Sequence, residues 1–93
     1  MREVSVESHL RAEVKKAGGI CIKLAPAGNV GIPDRLLLLP GGVLLFVECK
    51  KPRGAKIARL QSWWADRLTG LGFAHRYAFT RAEVDGIMEE FAG

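Results

Sequence analysis

Asp34, Glu48 and Lys50 combine residue types and spacing that suit chemistry. Asp34 precedes one apolar run, Arg35-Leu36-Leu37-Leu38-Leu39, and Glu48 closes a second, Val43-Leu44-Leu45-Phe46-Val47. Side chains alternate along a strand, so Leu44, Phe46, Glu48 and Lys50 share one face, and Val43, Leu45, Val47 and Cys49 the other. If the two runs fold back on each other, the two carboxylates stand side by side. Like charges at a half-buried position are costly unless a positive partner joins them. A divalent ion with oxygen ligands answers that need, and Mg²⁺ takes one or two carboxylates together with water and phosphate. Lys50, next on the same face, is placed to orient or polarise an attacking water.

The elements that must position these groups are marked by turn and cap residues. Pro40-Gly41-Gly42 predicts a tight β-hairpin, with glycine supplying positive φ. Neither run alternates apolar with polar, which predicts strands covered on both faces, as in an α/β sandwich. Residues 4 to 17 read as a helix capped by Ser5 and stopped by Gly18-Gly19, with Val6, Leu10, Val14 and Ala17 as its apolar stripe. Residues 20 to 25 read as a strand and 26 to 33 as a loop rich in Gly and Pro. Residues 56 to 71 read as a second helix, with Ile57, Leu60, Trp64, Leu68 and Leu71 buried. Residues 74 to 79 read as the last strand. Thr80-Arg81-Ala82-Glu83 is a capping box that opens a third helix to about Ala92.

Further groups fall near this frame. Glu7 lies at the start of the first helix, on the edge of its stripe; it either serves the helix macrodipole or reaches the acid pair. Lys23, on the Cys21 face of its strand, is a solvated charge or a phosphate contact. Lys50, Lys51, Arg53, Lys56 and Arg59 make a dense basic run. Beside a candidate metal site that would take phosphate, backbone contact outweighs the reading of a solvated loop. Gln61 lies on the edge of the second helix's stripe and needs a partner. It either caps a backbone group or faces the site and positions water or substrate. Trp63 points away from that stripe between Arg59 and Arg67, which suits a cation–π stack, a subunit contact or a base-stacking platform. The subunit contact is the expectation. His9 and His75 lack metal-ligand spacing and read as structural or surface residues.

Composition sets the bounds. Ninety-three residues, 48% hydrophobic and 26% charged, make one ordered domain spanning residues 1–93. A net charge of +4 favours an acidic partner such as nucleic acid. Cys21 and Cys49 lack CxxC spacing and read as buried small residues in a reducing compartment. Arg2 and Glu3 argue against a signal peptide. The longest apolar tract is interrupted at Pro40-Gly41-Gly42 and is too short to span a bilayer.

Asp34, Glu48 and Lys50 have the form PD-x13-E-x-K, which resembles the PD-(D/E)XK nuclease superfamily. The fuller order is Glu7 on a helix, Gly18-Gly19 before a strand bearing Lys23, Gly31-Ile32-Pro33-Asp34, Phe46-Val47-Glu48-Cys49-Lys50, Gln61 on a helix, and Gly72. That order is similar to the VRR-NUC family, over roughly Val4 to Phe79. The family often has small polar residues before the helix Gln, where this chain has Ile57-Ala58-Arg59. The resemblance implies a restriction-endonuclease-like three-layer α/β sandwich, with a central mixed sheet of about four strands flanked by helices. It implies phosphodiester hydrolysis dependent on Mg²⁺ or Mn²⁺. Asp34, Glu48 and the Cys49 backbone carbonyl would hold the metal, Lys50 would orient the nucleophilic water, and Glu7 and Gln61 would complete the catalytic set. Lys23, Lys51, Arg53, Lys56 and Arg59 would contact nucleic acid. Stand-alone relatives imply a homodimer cutting branched DNA, four-way (Holliday) junctions included, in the cytoplasm of a bacterial or phage-infected cell and without a membrane partner. The alternatives are a nicking or flap nuclease of relaxed specificity, and a DNA-binding module without catalysis. The paired acids argue against the last, because carboxylates near phosphate repel it.

Overall fold

The computed structural model describes residues 5–25, 28–51 and 56–93. The chain runs α1 (Val6–Lys16), β1 (Ile20–Lys23), β2 (Arg35–Leu39), β3 (Val43–Cys49), α2 (Arg59–Gly70), β4 (Ala74–Ala78) and α3 (Arg81–Ala92). The strands form one mixed sheet in the order β1-β2-β3-β4. β1–β2 and β2–β3 pair antiparallel, while β3 and β4 pair parallel, with α2 as the crossover between them. This is the expected α/β sandwich: α1 and α3 pack together on one face, and α2 lies on the other.

The hairpin forms where the sequence predicts it. Gly41 and Gly42 both take positive φ, 86° and 75°, the turn that suits the twist of the flanking strands. The resulting register sets Leu39 opposite Val43 and Arg35 opposite Val47. One step further, Asp34 comes beside Glu48. Leu37, Leu39, Leu45 and Val47 face Leu10 and Val14 of α1 and Val84, Ile87 and Met88 of α3, making one apolar core. Both outer helices are capped as predicted. Ser5 Oγ accepts from the Ser8 amide at 3.0 Å. Thr80 Oγ1 accepts from the Glu83 amide at 3.1 Å, and Glu83 Oε1 accepts from the Phe79 amide at 2.7 Å.

Several expectations are corrected. The hairpin is not covered on both faces. α2 packs on β4 and on the Glu48 end of β3, and it leaves Ile20, Ile22 and Leu44 exposed. Of the stripe expected on α2 only Leu68 is buried; Leu60 and Leu71 are exposed, and Ile57 precedes the helix. α2 begins at Arg59, after Ala58, an extended N-cap with no side-chain oxygen. Gln61 Oε1 accepts the Ala58 amide instead, at 2.9 Å. β1 ends at Lys23, although the Leu24 amide still donates to the Asp34 carbonyl at 2.8 Å. β4 ends at Ala78, and β3 runs on to Cys49 because Tyr77 and Ala78 pair beside its last two residues. Residue 4, expected in the first helix, lies outside the described residues. Cys21 and Cys49 are half-buried. Among the described residues no helix is long and apolar enough to cross a membrane.

Candidate active site

The two acids are locked to each other's strands. The Asp34 amide donates to Glu48 Oε1 at 3.0 Å, and the Cys49 amide donates to Asp34 Oδ2 at 3.0 Å. The start of α2 closes the cluster. Gln61 Nε2 donates to Glu48 Oε2 at 2.6 Å, and Gln61 Oε1 accepts from Lys50 Nζ at 2.6 Å. Lys50 Nζ also donates to the Lys56 carbonyl at 2.9 Å and stands 3.8 Å from Glu48 Oε2. Asp34, Glu48, Lys50 and Gln61 are thus brought together by the mouth of β2, the end of β3 and the first turn of α2.

The electrostatics follow from that crowding. Burial first, and then the Asp34 charge beside it, push the Glu48 carboxyl up to about 7. Burial, followed by the charges of Asp34 and Glu7, pushes the Cys49 thiol up to about 12, so it stays protonated and inert. The donors offered by Asp34 and Glu48 are hard oxygens, which suit Mg²⁺ or Mn²⁺ and not a thiolate- or imidazole-seeking metal.

The other expected residues are distributed around this centre. Glu7 faces the sheet from α1, and its Oε2 accepts from Arg35 Nε at 2.8 Å and a terminal Arg35 nitrogen at 2.6 Å. Arg35 directly follows Asp34, so α1 is tied to the strand that delivers the acid. Lys23 is exposed and pairs in register with Arg35, at the same end of the sheet as Asp34. Lys51, Lys56 and Arg59 are exposed on the α2 approach. Arg53 lies outside the described residues.

Two neighbours were not found from sequence. Arg35 opens the apolar run of β2, and its sequence signal is a single cation before a row of leucines. Tyr77 lies beside Glu48 across the parallel β3–β4 pair. Burial first, and then Glu48 and Asp66, raise its phenol pKa. That adjacency depends on sheet register, which has no local sequence mark. His75 is buried, and its Nε2 has no hydrogen-bond partner among the described residues. Burial and then Arg76 lower its pKa, so it sits neutral in the packing. His9 Nε2 lies 2.7 Å from Asp85 Oδ1. With Glu13 these two offer donor atoms all within 4.8 Å of one another, a surface group on the α1–α3 seam.

A phage protein named "Putative nuclease p44", from Acyrthosiphon pisum secondary endosymbiont phage 1, is 49% identical over 72 residues, 77% of this chain and 76% of that protein. A solved structure described as a VRR_NUC domain matches with a TM-score of 0.84 at 31% identity, covering 90% of each chain. No family profile matches the sequence.

Proposed function

Since the chain belongs to the VRR-NUC family and is a nuclease, we propose that it is a Mg²⁺- or Mn²⁺-dependent endonuclease that cuts branched DNA, four-way junctions included, as a homodimer. The observation that carries this reading is the cross-strand lock of Asp34 and Glu48 beside Lys50 and Gln61. Asp34, Glu48 and the Cys49 carbonyl would hold the ion. Such an ion neutralises charge developing on phosphate and makes water more acidic. Gln61 fixes the Glu48 carboxylate through one end of its amide and the Lys50 ammonium through the other. Lys50, further anchored by the Lys56 carbonyl, orients the attacking water. Glu7 acts through Arg35, whose position sets the entry of the Asp34 strand. Lys23, Lys51, Arg53, Lys56 and Arg59 would contact the nucleic-acid backbone.

The homodimer is favoured by the uncovered sheet face. Ile20, Leu38 and Leu44 make one row across β1, β2 and β3, and Ile20 and Leu44 are open to solvent. An exposed apolar sheet face is a surface for a second copy.

The test is a panel of labelled four-way junction, flap and linear duplex, with and without Mg²⁺. Cutting of the junction only with the ion is expected. Asp34→Asn and Lys50→Ala should each abolish cutting while the fold and junction binding persist. Binding without cutting by the unaltered protein would favour a catalytically inactive DNA-binding module, and flap cutting alone would favour relaxed specificity.

A further inference from the structure

A cleft of about 350 Å³ opens between the 28–30 turn and α2, lined by Gly28, Asn29, Val30, Leu60, Trp63 and Trp64. Its apolar walls face solvent: Val30 is 67% exposed, Leu60 47% and Trp63 53%. The floor is rigid. Trp64 Nε1 donates to the Val30 carbonyl at 3.1 Å, and Trp63 stands edge-to-face against Trp64, with ring centroids 5.3 Å apart and planes at 89°. Both walls lead to the acid cluster. Leu60 precedes Gln61, and the turn carrying Val30 passes through Gly31 into Asp34. Arg59 and Arg67 flank Trp63 four residues to either side and are exposed. Asp66, also on α2, lies within electrostatic reach of His75 and Tyr77 of β4.

We propose that this cleft is a nucleobase subsite. It takes one unpaired base of the DNA, stacked on Trp63, while Arg59 and Arg67 hold the adjoining phosphates. An exposed indole between two cations offers a face to a base and charge to its backbone. A second copy of the chain is the poorer occupant, because a two-fold contact would bring the same arginines face to face. The subsite rests on the nuclease reading above and adds what is selected there: a nucleotide freed from pairing close to the cut, as at a branch point. Continuous duplex keeps its bases stacked inside and cannot fill the cleft.

The test is binding of DNA on a Glu48→Gln background, so that DNA is held and not cut. The probes are a duplex with one unpaired nucleotide, the same DNA with that nucleotide abasic, and a continuous duplex. Trp63→Ala is expected to weaken binding of the first by about tenfold and to leave the continuous duplex unchanged, whereas Trp63→Phe retains most of the affinity. Removing the base should cost the Trp63 protein the same amount and the Trp63→Ala protein nothing. Equal losses on all three probes, or no loss on any, would overturn the subsite. So would a fall in mass by light scattering on Trp63→Ala, which would assign the cleft to a partner copy. Should Trp63→Ala fail to fold, quenching of the native tryptophan emission by the unpaired base but not by its abasic counterpart supports the subsite, and equal quenching by both overturns it. Wild-type cutting alongside an unaltered Trp63→Ala affinity removes the subsite alone; a wild-type protein that neither binds nor cuts DNA removes the nuclease reading with it.

Discussion

At the scale of residues, Glu48 is held in a conflict. It is only 3% exposed and lies beside a second acid, yet its carboxylate is hydrogen-bonded in place by the Asp34 amide and Gln61. The folded carboxyl keeps its proton to about pH 7, against 4.5 for an ordinary Glu. Between those values the folded state binds more protons than the unfolded one, so stability falls as pH rises. The contribution is fully present below about 4.5 and is lost as pH passes about 7. Metal-free protein is therefore expected to lose several degrees of melting temperature across that window, and Glu48→Gln to lose much less. His75 works in the opposite sense, since its lowered pKa favours the unfolded state at acidic pH. The difference between wild type and Glu48→Gln in calorimetric melts with chelator therefore isolates Glu48, and parallel curves would refute the assignment. Mg²⁺ should restore the lost stability at the alkaline end. The pairing of Asp34 with Glu48 was legible in the sequence because a hairpin brings its ends together. The partners of Arg35 and Tyr77 were not, because Glu7 and Glu48 reach them only through helix docking and β3–β4 register.

At the scale of elements, the hairpin and the helix α2 are legible in the sequence, and the exposure of much of the α2 stripe is not. Pro40-Gly41-Gly42 specifies a turn by backbone geometry alone, whatever surrounds it. The stripe on α2 specifies only that one side is apolar, and sequence cannot tell a core from an open surface. The loop that leads into β2 packs closely on the first turn of α2. Gly31 has φ of 90°, and a Cβ there would come within 2.6 Å of Leu60 Cβ and 2.7 Å of the Leu60 carbonyl carbon. Gly31→Ala is expected to cost about 2–3 kcal/mol, from backbone strain plus overlap with a helix backbone. Gly41→Ala, also at positive φ but with nothing within 4 Å, should cost about 1 kcal/mol. Urea melts of the two variants read the stability difference. Cutting rates under folding conditions should fall further for Gly31→Ala, because its loop delivers Asp34. Equal behaviour would mean that the packing of the loop on α2 does not matter.

At the scale of the whole molecule, the sheet has one finished face and one unfinished. The α1–α3 side forms a closed apolar core, and the opposite side keeps Ile20, Ile22, Leu44 and Phe73 in solvent. Composition could not reveal this, since all these residues look like core residues until the sheet is built. Ile20→Glu combined with Leu44→Glu should convert the proposed dimer to a monomer by light scattering, with little loss of thermal stability. Paired incision of a four-way junction should then disappear while single nicks persist; an unchanged mass would move the interface elsewhere. The hairpin tip has a further consequence. Gly41 and Gly42 meet nothing there, and the acids sit at the far end of the same two strands. Interrupted between those glycines, the chain would fall into two fragments. The first would carry Glu7, Asp34 and Arg35, and the second Glu48, Lys50 and Gln61. Neither piece would hold the whole proposed centre, so nucleic-acid scission would begin only when the halves meet, and the enzyme would serve as a reporter of its own reassembly.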